Sequence, residues 1–408
     1  MHRPRLFAQH LPSFGWESVI LAVHEKYYEE NPDWNLVKLL PKDLRIEKVN
    51  AFKIRKPRLI GDIGLRAFFQ LYRRASKLIN NEHFDFLYIP IPSFYCALLG
   101  RLLNRRTGIK YGIDYIDPWV HDFPGSNKIF SRHWLSTKLA KFLEPIAVKK
   151  ASLITGVAEG YYKDVLERNP HLKTQAVCGA MPYGGEKKDY ELIESLGIEP
   201  YLFQKKEGKI QLVYAGAMLP KAYEPLEAIF KSIAANKEIF ENLIFHFIGT
   251  GKTPDDAEGF NIKPLAEKYG LWQTNVYEYP KRIPYFNVLV HLNIADGIFI
   301  LGSTEPHYTP SKVFQGVLSK KPLVAVLHKD SITVDIIRSS RSGIVLGFDG
   351  ENGIEEIERV FPAFFENARQ FINCFKPELV NSVFFEQYSA KNVTAQLSKL
   401  LFSTLKED

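Results

Sequence analysis

Short runs of apolar residues alternate with longer amphipathic stretches along most of this chain. The runs have the length of buried strands, and the stretches between them repeat apolar residues at helical spacing. One such helix, predicted at residues 138–150, directs Phe142, Ile146 and Val148 toward the core. Alternation of strands and helices is typical of parallel sheets in α/β proteins. Strands are predicted at residues 84–90, 110–119, 151–158, 209–216, 242–249, 295–302 and 323–327.

The composition is that of a globular protein. The chain has 408 residues, 46% hydrophobic and 24% charged, which is enough for two domains with full cores. No apolar run reaches the length of a membrane span, and the polar, basic opening lacks the apolar core of a secretory signal. Cys96, Cys178 and Cys374 lie far apart without metal-ligand spacing, as reduced thiols of a cytoplasmic protein do. We therefore predict a cytoplasmic protein without a metal site.

Residues 304–326 combine a loop, a short helix, a tight turn and a buried strand. Thr309 suits the N-cap and Pro310 the first helical position, so the helix is predicted to begin there. Lys312 then falls in the first turn, where its charge opposes the helix dipole beside unpaired N–H groups. A bound phosphate would resolve this conflict. The alternative is that Lys312 extends into water.

The segment TPSKVFQGVLSKKPLVA, residues 309–325, resembles the donor-site signature of family-four glycosyltransferases. The resemblance implies the GT-B fold, in which two Rossmann-like domains with parallel sheets face each other across a cleft. It places Ser311 and Lys312 at the diphosphate of a nucleotide sugar, and Gln315 at the ribose, where the family has glutamate. The family's earlier glutamate aligns with His307. Glu305, two residues away, is the nearest carboxylate for the donor sugar.

Residues 209–235 predict a strand, Gly216, a loop, Lys221 and a helix, which is a phosphate-binding layout. By resemblance, Gly216 and Lys221 border the diphosphate and Arg282 lies near the nucleotide base. The family often has arginine after the glycine, where this chain has Ala217, and Lys312 would supply the charge. The predicted donor site is Gly216, Lys221, Arg282, Ser311, Lys312 and Gln315.

The segment DYIDPW, residues 114–119, lies at the end of a predicted strand and resembles the family's D-x-x-D-P-W. Ligands of α/β sheets collect beyond the carboxyl ends of strands. The resemblance directs Asp117 and His121 toward the acceptor or donor sugar. With Glu305 they are the predicted catalytic residues. The alternative is that Asp117 caps a turn and Trp119 fills the core.

The net charge of +7 is distributed unevenly. Residues 1–185 carry 28 Lys and Arg against 17 Asp and Glu, whereas residues 186–408 carry 25 against 29. A basic half favours an anionic partner such as acidic lipid or lipid-linked phosphate, and no nucleic-acid-binding signature accompanies it. The helix predicted at residues 61–80 is the candidate for a membrane-surface or acceptor-facing patch, or else an ordinary solvated face. The basic residues that surround this helix are Lys53, Arg55, Lys56, Arg58, Arg66, Arg73, Arg74 and Lys77.

The chain opens on a helix predicted at residues 4–11, followed by a strand at 16–24. In the resembling family this unit follows an apolar strand and a Gly-rich loop, and neither precedes it here. We expect either that the natural reading frame starts about 20 residues upstream or that the N-terminal sheet is rearranged. Without the loop, this form would transfer sugar poorly.

The resemblance implies an acceptor-side domain at residues 1–185, a nucleotide-sugar domain at 186–375 and a helical segment at 376–408 that packs back across both. The implied activity is metal-independent, retaining sugar transfer from a nucleotide-diphosphate donor to a glycan or lipid-linked acceptor. It would serve surface polysaccharide biosynthesis at the inner face of the cytoplasmic membrane, with no cofactor. Two alternatives remain. A GT-B sugar-nucleotide isomerase would use Asp117, His121 and Glu305, and a non-catalytic scaffold would explain Gln315.

Overall fold

A computed structural model describes residues 2–29, 32–54, 61–91, 93–120 and 128–406. Its strands are β1 (Val19–Val23), β2 (Arg45–Val49), β3 (Phe86–Pro90), β4 (Lys110–Tyr115), β5 (Leu153–Gly156), β6 (Val177–Ala180), β7 (Ile210–Ala215), β8 (Leu243–Ile248), β9 (Val276–Tyr279), β10 (Gly297–Leu301), β11 (Leu323–His328) and β12 (Gly343–Phe348). The helices of the first half are α1 (His2–His10), α2 (Trp34–Val37), α3 (Ile63–Arg66), α4 (Phe68–Asn81), α5 (Ala97–Thr107), α6 (Arg132–Val148), α7 (Lys163–Arg168) and α8 (Leu172–Gln175). Those of the second half are α9 (Lys187–Leu196), α10 (Tyr223–Ala235), α11 (Lys237–Phe240), α12 (Lys263–Lys268), α13 (Tyr285–Ile294), α14 (Lys312–Leu318), α15 (Ile332–Ser340), α16 (Ile354–Cys374), α17 (Ser382–Phe385) and α18 (Ala390–Leu405).

The chain forms two compact units. The first contains Met1–Pro32, Leu40–Tyr183 and Ala390–Asp408, and the second contains Asp33–Leu39 and Gly184–Ser389. The predicted division at residues 185 and 375 stays a prediction. The α/β class is confirmed, because every strand pairing among the described residues is parallel.

Six parallel strands form the sheet of the second unit, in the order β12-β11-β10-β7-β8-β9. Strands β8, β10 and β11 are buried along their whole length. Near-continuous apolar runs are typical of parallel strands covered on both faces. The strands of this sheet could therefore be predicted from the sequence. Aromatic side chains such as Phe230, Phe245, Phe299 and Phe361 fill the core against it.

The sheet of the first unit is divided. Strands β3-β4-β5-β6 form one parallel sheet, and β1 and β2 form a separate parallel pair. Residues 2–10 are helix α1, so the predicted opening helix is confirmed, and none of residues 2–18 forms a strand. A single hydrophobic cluster joins Val23 of β1 and Val49 of β2 to Leu99 and Leu103 of α5. The two sheets of this unit therefore share a core without pairing.

Helix α1 packs beside α18 within the first unit. Phe7 lies in one cluster with Val393, Leu397 and Leu401. After the helix, Trp16 donates its indole N–H to the Ser398 hydroxyl, 3.0 Å away. Apolar contacts thus hold α1 against α18, and a hydrogen bond holds the segment after α1 to the same helix.

Helix α6 differs from its prediction. Val148 is buried, as expected, but Phe142 is 68% exposed and Ile146 is 44% exposed. The buried side of the helix carries the small residues Ala140 and Ala147 instead. The periodic pattern identified an apolar face but not the direction in which it points.

A neutral histidine lies within the second unit. The His246 ring stacks on Phe203, with ring centroids 3.8 Å apart. The Gln211 amide nitrogen lies 3.0 Å from His246 Nε2, and the Gln211 carbonyl oxygen accepts from the Lys206 backbone, which fixes the amide orientation. His246 Nε2 is therefore the acceptor, and its Nδ1–H lies 3.3 Å from the Tyr279 hydroxyl. Burial, followed by the charge of Lys206, lowers the pKa of His246 to about 3.

Because His246 is buried in its neutral form, we expect the second unit to become less stable in acid. The folded pKa lies below the unfolded value of about 6.5, so below pH 6.5 the unfolded chain binds the proton more strongly. The contribution of neutral His246 to the free energy of unfolding is fully present above pH 6.5. It decreases as the pH drops from 6.5 toward 3, and about 2 kcal/mol is lost at pH 5. Denaturant melts at pH 7.5 and pH 5 measure this loss. A His246→Phe variant should lose less on acidification, and equal losses in both proteins would contradict the assignment.

Candidate functional site

The sheet order of the second unit creates a crevice. From β7 the chain builds β8 and β9 on one side, then returns to place β10 on the other side of β7. Ligands bind beyond the carboxyl ends of strands at such a switch point. Strand β10 pairs with β7 only at Gly297 and Ile298, although it pairs with β11 over four residues. The carboxyl ends of β7 and β10 therefore separate, and the segments that follow them border the opening.

Gly216 follows β7 directly. Its φ of 110° is a conformation that residues with a side chain rarely adopt. A Cβ atom at this position would lie 3.0 Å from Lys312 Cε. At the neighbouring strand end Gly249 has a φ of 71°, and a Cβ there would be 3.6 Å from Arg282 Cα. The two glycines keep backbone open beside Lys312 and Arg282, so the predicted donor residues Gly216, Lys312 and Arg282 do converge.

Lys312 is fixed by a residue that the sequence analysis missed. Its ammonium donates to the Tyr214 hydroxyl, 3.2 Å away, and lies 4.5 Å from the Tyr214 ring centroid. The same hydroxyl donates to the Ala217 carbonyl at 3.1 Å. Burial raises the pKa of Tyr214, so its hydroxyl keeps the proton that this second bond needs. The available signal was the position of a tyrosine two residues before Gly216, at the end of a buried strand.

Lys221 and Glu305 approach each other across the same opening. Lys221 Nζ lies 3.6 Å from Glu305 Oε1, and both side chains are about a third exposed. The Thr304 backbone N–H donates to the Lys221 carbonyl at 3.2 Å, which joins the loop after β7 to the loop after β10. A diphosphate that reached Lys221 would compete with Glu305 for the ammonium group.

The start of α14 differs from the prediction. The helix begins at Lys312 and its N-cap is Ser311, not Thr309. The Thr309 hydroxyl is buried and donates to the His307 carbonyl at 3.3 Å, so it stabilises the preceding loop. The Ser311 side chain makes no capping hydrogen bond. Ser311 and Lys312 nevertheless stand at the amino end of the helix, as predicted.

Gln315 lies one turn further along α14. Its side chain is half-buried, and its backbone carbonyl accepts from the Tyr190 hydroxyl at 2.7 Å. This bond fixes the middle of α14 within the second unit. The role of Gln315 at a ribose stays a prediction.

The predicted catalytic residues of the first unit have different surroundings. Asp117 is exposed just after β4, and His121 lies outside the described residues. Trp119 is buried, with its ring parallel to that of Phe94 at 6.0 Å between centroids, so the core alternative holds for the tryptophan. Asp114, the first acid of the motif, is fully buried and ion-paired with Arg3. Among the described residues of this motif, Asp117 is exposed and Asp114 and Trp119 are buried, so a catalytic role for Asp117 stays a prediction.

The second unit therefore brings Gly216, Arg282 and Lys312 together, and it sets Lys221 beside Glu305 in the loops that follow β7 and β10. Lysines bind phosphates as point charges, and open backbone at strand ends admits them closely. The arrangement can hold a polyanion such as a diphosphate and neutralise charge that develops on it.

Comparison with known proteins shows similarity only at the level of structure. No protein family and no curated protein matches the chain. The N-terminal domain of a trehalose-6-phosphate phosphatase from Candida albicans is 14% identical, with a TM-score of 0.64 over 99% of this chain and 92% of that one. Sucrose-phosphate synthase from Thermosynechococcus elongatus is 13% identical, with a TM-score of 0.62 over 99% and 93%. Anabaena HepE, solved with UDP, is 11% identical, with a TM-score of 0.59 over 95% and 100%. These likenesses confirm the predicted GT-B fold class.

Proposed function

We propose that this protein is a glycosyltransferase that passes a sugar from a nucleotide-diphosphate donor to a glycan or lipid-linked acceptor. The observation that carries the proposal is the placement of Lys221 and Lys312 at the crevice between β7 and β10. HepE, which is similar in fold, was solved with UDP and with UDP-glucose. UDP-sugars are therefore the first donors to test.

The proposed chemistry is mainly electrostatic. Sugar transfer leaves negative charge on the departing diphosphate, and cations positioned in advance stabilise such charge without reorganising. Lys312 meets this requirement because Tyr214 holds its ammonium group. In this proposal Glu305 contacts the donor sugar, and Asp117 and His121 contact the acceptor or the transferred sugar. Transfer with retention, in surface polysaccharide biosynthesis at the inner face of the cytoplasmic membrane, completes the proposal.

A nucleotide assay tests this function. Thermal-shift screening of nucleoside diphosphates and their sugars identifies the donor, and release of the nucleotide is then measured with and without candidate acceptors. The proposal expects release that depends on the acceptor. Interconversion of the sugar nucleotide without release would instead support the isomerase, and the absence of both binding and turnover would support the scaffold.

Gln315 offers a test of the ribose site. Gln315→Glu should tighten nucleoside diphosphate binding by about fivefold, because charge-assisted hydrogen bonds to the ribose hydroxyls are stronger than neutral ones. Isothermal titration calorimetry measures the change. Gln204→Glu is the matched control, since Gln204 is exposed in the same unit and gains the same charge. Equal affinities for the wild type and the Gln315 variant would remove Gln315 from the ribose site.

A further inference from the structure

Helix α6 exposes a continuous stripe of large apolar side chains. Leu135 is 63% exposed, Leu139 39%, Phe142 68% and Ile146 44%. With 3.6 residues per turn, these four positions fall within an arc of about 60° on one side of the helix. A helix of a globular unit normally turns such a stripe toward the core. Here the stripe points away from the core of the first unit.

The opposite side of α6 shows that this orientation is fixed. Ala140 and Ala147 are buried, and Glu144, also buried, accepts from Arg168 at 2.8 and 3.0 Å. Rotating the helix to bury its large residues would expose these alanines and break the ion pair. The first unit thus holds α6 by small residues and by the ion pair between buried Glu144 and partly exposed Arg168, and it leaves the stripe uncovered.

Two further apolar residues extend the stripe before the helix begins. Ile129 is 69% exposed and Phe130 is 89% exposed. The Phe130 ring lies 5.7 Å from the ring of Trp134 in the first turn of α6. Phe130 also has a φ of 62°, which is uncommon for a bulky residue. The exposed apolar surface therefore continues from the turn onto the helix.

The charged residues of the segment that carries the stripe, positions 128–150, are almost all basic. Lys128, Lys138, Lys141, Lys149 and Lys150 are exposed. Glu144 is the only acidic residue in positions 128–150, and its charge is already balanced by Arg168. A surface that combines large apolar side chains with uncompensated lysines suits an anionic bilayer, which accepts both.

A protein partner fits this surface less well. Lysine is depleted in the cores of protein interfaces, whereas helices that lie in the headgroup region of a membrane are rich in lysine and large apolar residues. Within the described part of the chain no helix is long and apolar enough to cross a bilayer, so contact with a membrane would be parallel to its surface. A helix of 17 residues has a length of about 25 Å for such contact.

The patch predicted from the sequence around α4 is weaker. Arg66 is buried and donates to the carbonyls of Phe52 and Tyr27, both at 3.0 Å. Arg74 is paired with Glu47 at 2.6 Å. Of the other members of that patch, Arg55, Lys56 and Arg58 lie outside the described residues. The prediction that Arg66 faces a membrane is therefore wrong, and the charge of Arg74 is balanced by Glu47, whereas Lys53, Arg73 and Lys77 are exposed.

We propose that the exposed stripe of α6, with Ile129 and Phe130, is a membrane-docking surface that inserts its apolar side chains into the headgroup region of a bilayer containing anionic lipid. The flanking lysines would contact lipid phosphates. This inference concerns binding to lipid and holds whether or not the protein transfers sugar.

Vesicle co-sedimentation tests the proposal with a matched pair of variants. Phe142 on α6 is 68% exposed and Phe69 on α4 is 64% exposed, so each can be replaced by serine at similar structural cost. Vesicles of phosphatidylcholine with an equal part of phosphatidylglycerol should bind the wild type. Phe142→Ser should weaken this binding about tenfold, whereas Phe69→Ser should leave it unchanged.

A second set of vesicle-binding measurements tests the role of the lysines. Lys138→Gln should weaken binding to the anionic vesicles by roughly fivefold, and added salt should weaken binding of the wild type. Failure of the wild type to bind, or equal effects of the two phenylalanine variants, would overturn the proposal. Sedimentation velocity without lipid adds a check: a wild-type dimer that Phe142→Ser dissociates would assign the stripe to a second copy of the chain and also overturn it.

Discussion

Lys312→Ala is expected to weaken binding of a nucleoside diphosphate by about 1.5–3 kcal/mol, or roughly 10- to 150-fold. The ammonium group is held against the ring and hydroxyl of Tyr214 at the end of β7. A phosphate placed at this opening would receive a hydrogen bond from a charged donor that needs no reorientation. Lys221→Ala should cause a loss of the same order, because its charge lies on the other side of the same crevice.

Lys237→Ala is the matched control for this prediction. Lys237 is exposed on α11, which precedes β8 and so lies at the amino end of the sheet, away from the crevice. Calorimetric titration with UDP should give wild-type affinity for this variant. Unchanged affinity in both the Lys312 and the Lys221 variants would mean that the diphosphate does not bind here.

Tyr214→Phe separates positioning from charge. The substitution keeps the ring under the ammonium group but removes the hydroxyl that accepts from Lys312. We expect a smaller loss than for Lys312→Ala, with the circular-dichroism spectrum unchanged. A loss as large as that of Lys312→Ala would show that the hydroxyl has a further role at the donor.

Much of the second unit was predictable because its signals are local. The apolar runs at residues 209–216 and 242–249 became β7 and β8, since strands covered on both faces leave few polar positions. Local signals also failed at fine scale. Thr309 and Ser311 are both good N-cap residues, and the buried bond from Thr309 to His307 decided between them. Pattern alone could not supply that bond.

The first unit was harder to predict because its determinants are distant in sequence. Both faces of α6 carry apolar residues, and only the packed structure shows that Ala140 and Ala147 turn inward. Likewise the motif at residues 114–119 contains two aspartates, and the sequence alone does not show which of them is buried. One of them, Asp114, forms a buried ion pair with Arg3, a residue 111 positions away. Spacing within the motif gave no sign of that partner.

This difference between the two aspartates can be measured. Asp114 accepts from Arg3 Nε at 2.5 Å and Nη2 at 3.0 Å, and from the Thr155 hydroxyl at 2.8 Å. Arg3 and Asp114 are both almost completely buried. Removing one partner from a buried ion pair leaves an uncompensated charge, which costs about 3–5 kcal/mol. Asp114→Asn should therefore lower the unfolding free energy of the first unit by that amount, measured by denaturant melts.

Asp117→Asn is the control three residues away. Asp117 is exposed whereas Asp114 is buried, so Asp117→Asn should lower the unfolding free energy by much less than Asp114→Asn does. If the proposed function is right, it should reduce sugar transfer while the protein stays folded. Equal stability of the two variants would contradict the structural role of Asp114.

A double variant tests whether the loss comes from the unpaired charge. Arg3→Met with Asp114→Leu removes both charges, and apolar replacement of a buried pair is often neutral or stabilising. Arg3 also donates to the carbonyls of Met181 and Pro182, at 2.8 and 3.0 Å. Those acceptors would lose their donor at a cost of about 1–3 kcal/mol. We therefore expect the double variant to recover only part of the stability that Asp114→Asn loses. No recovery would show that the hydrogen bonds to the two carbonyls, rather than the charge balance, hold α1 against the sheet.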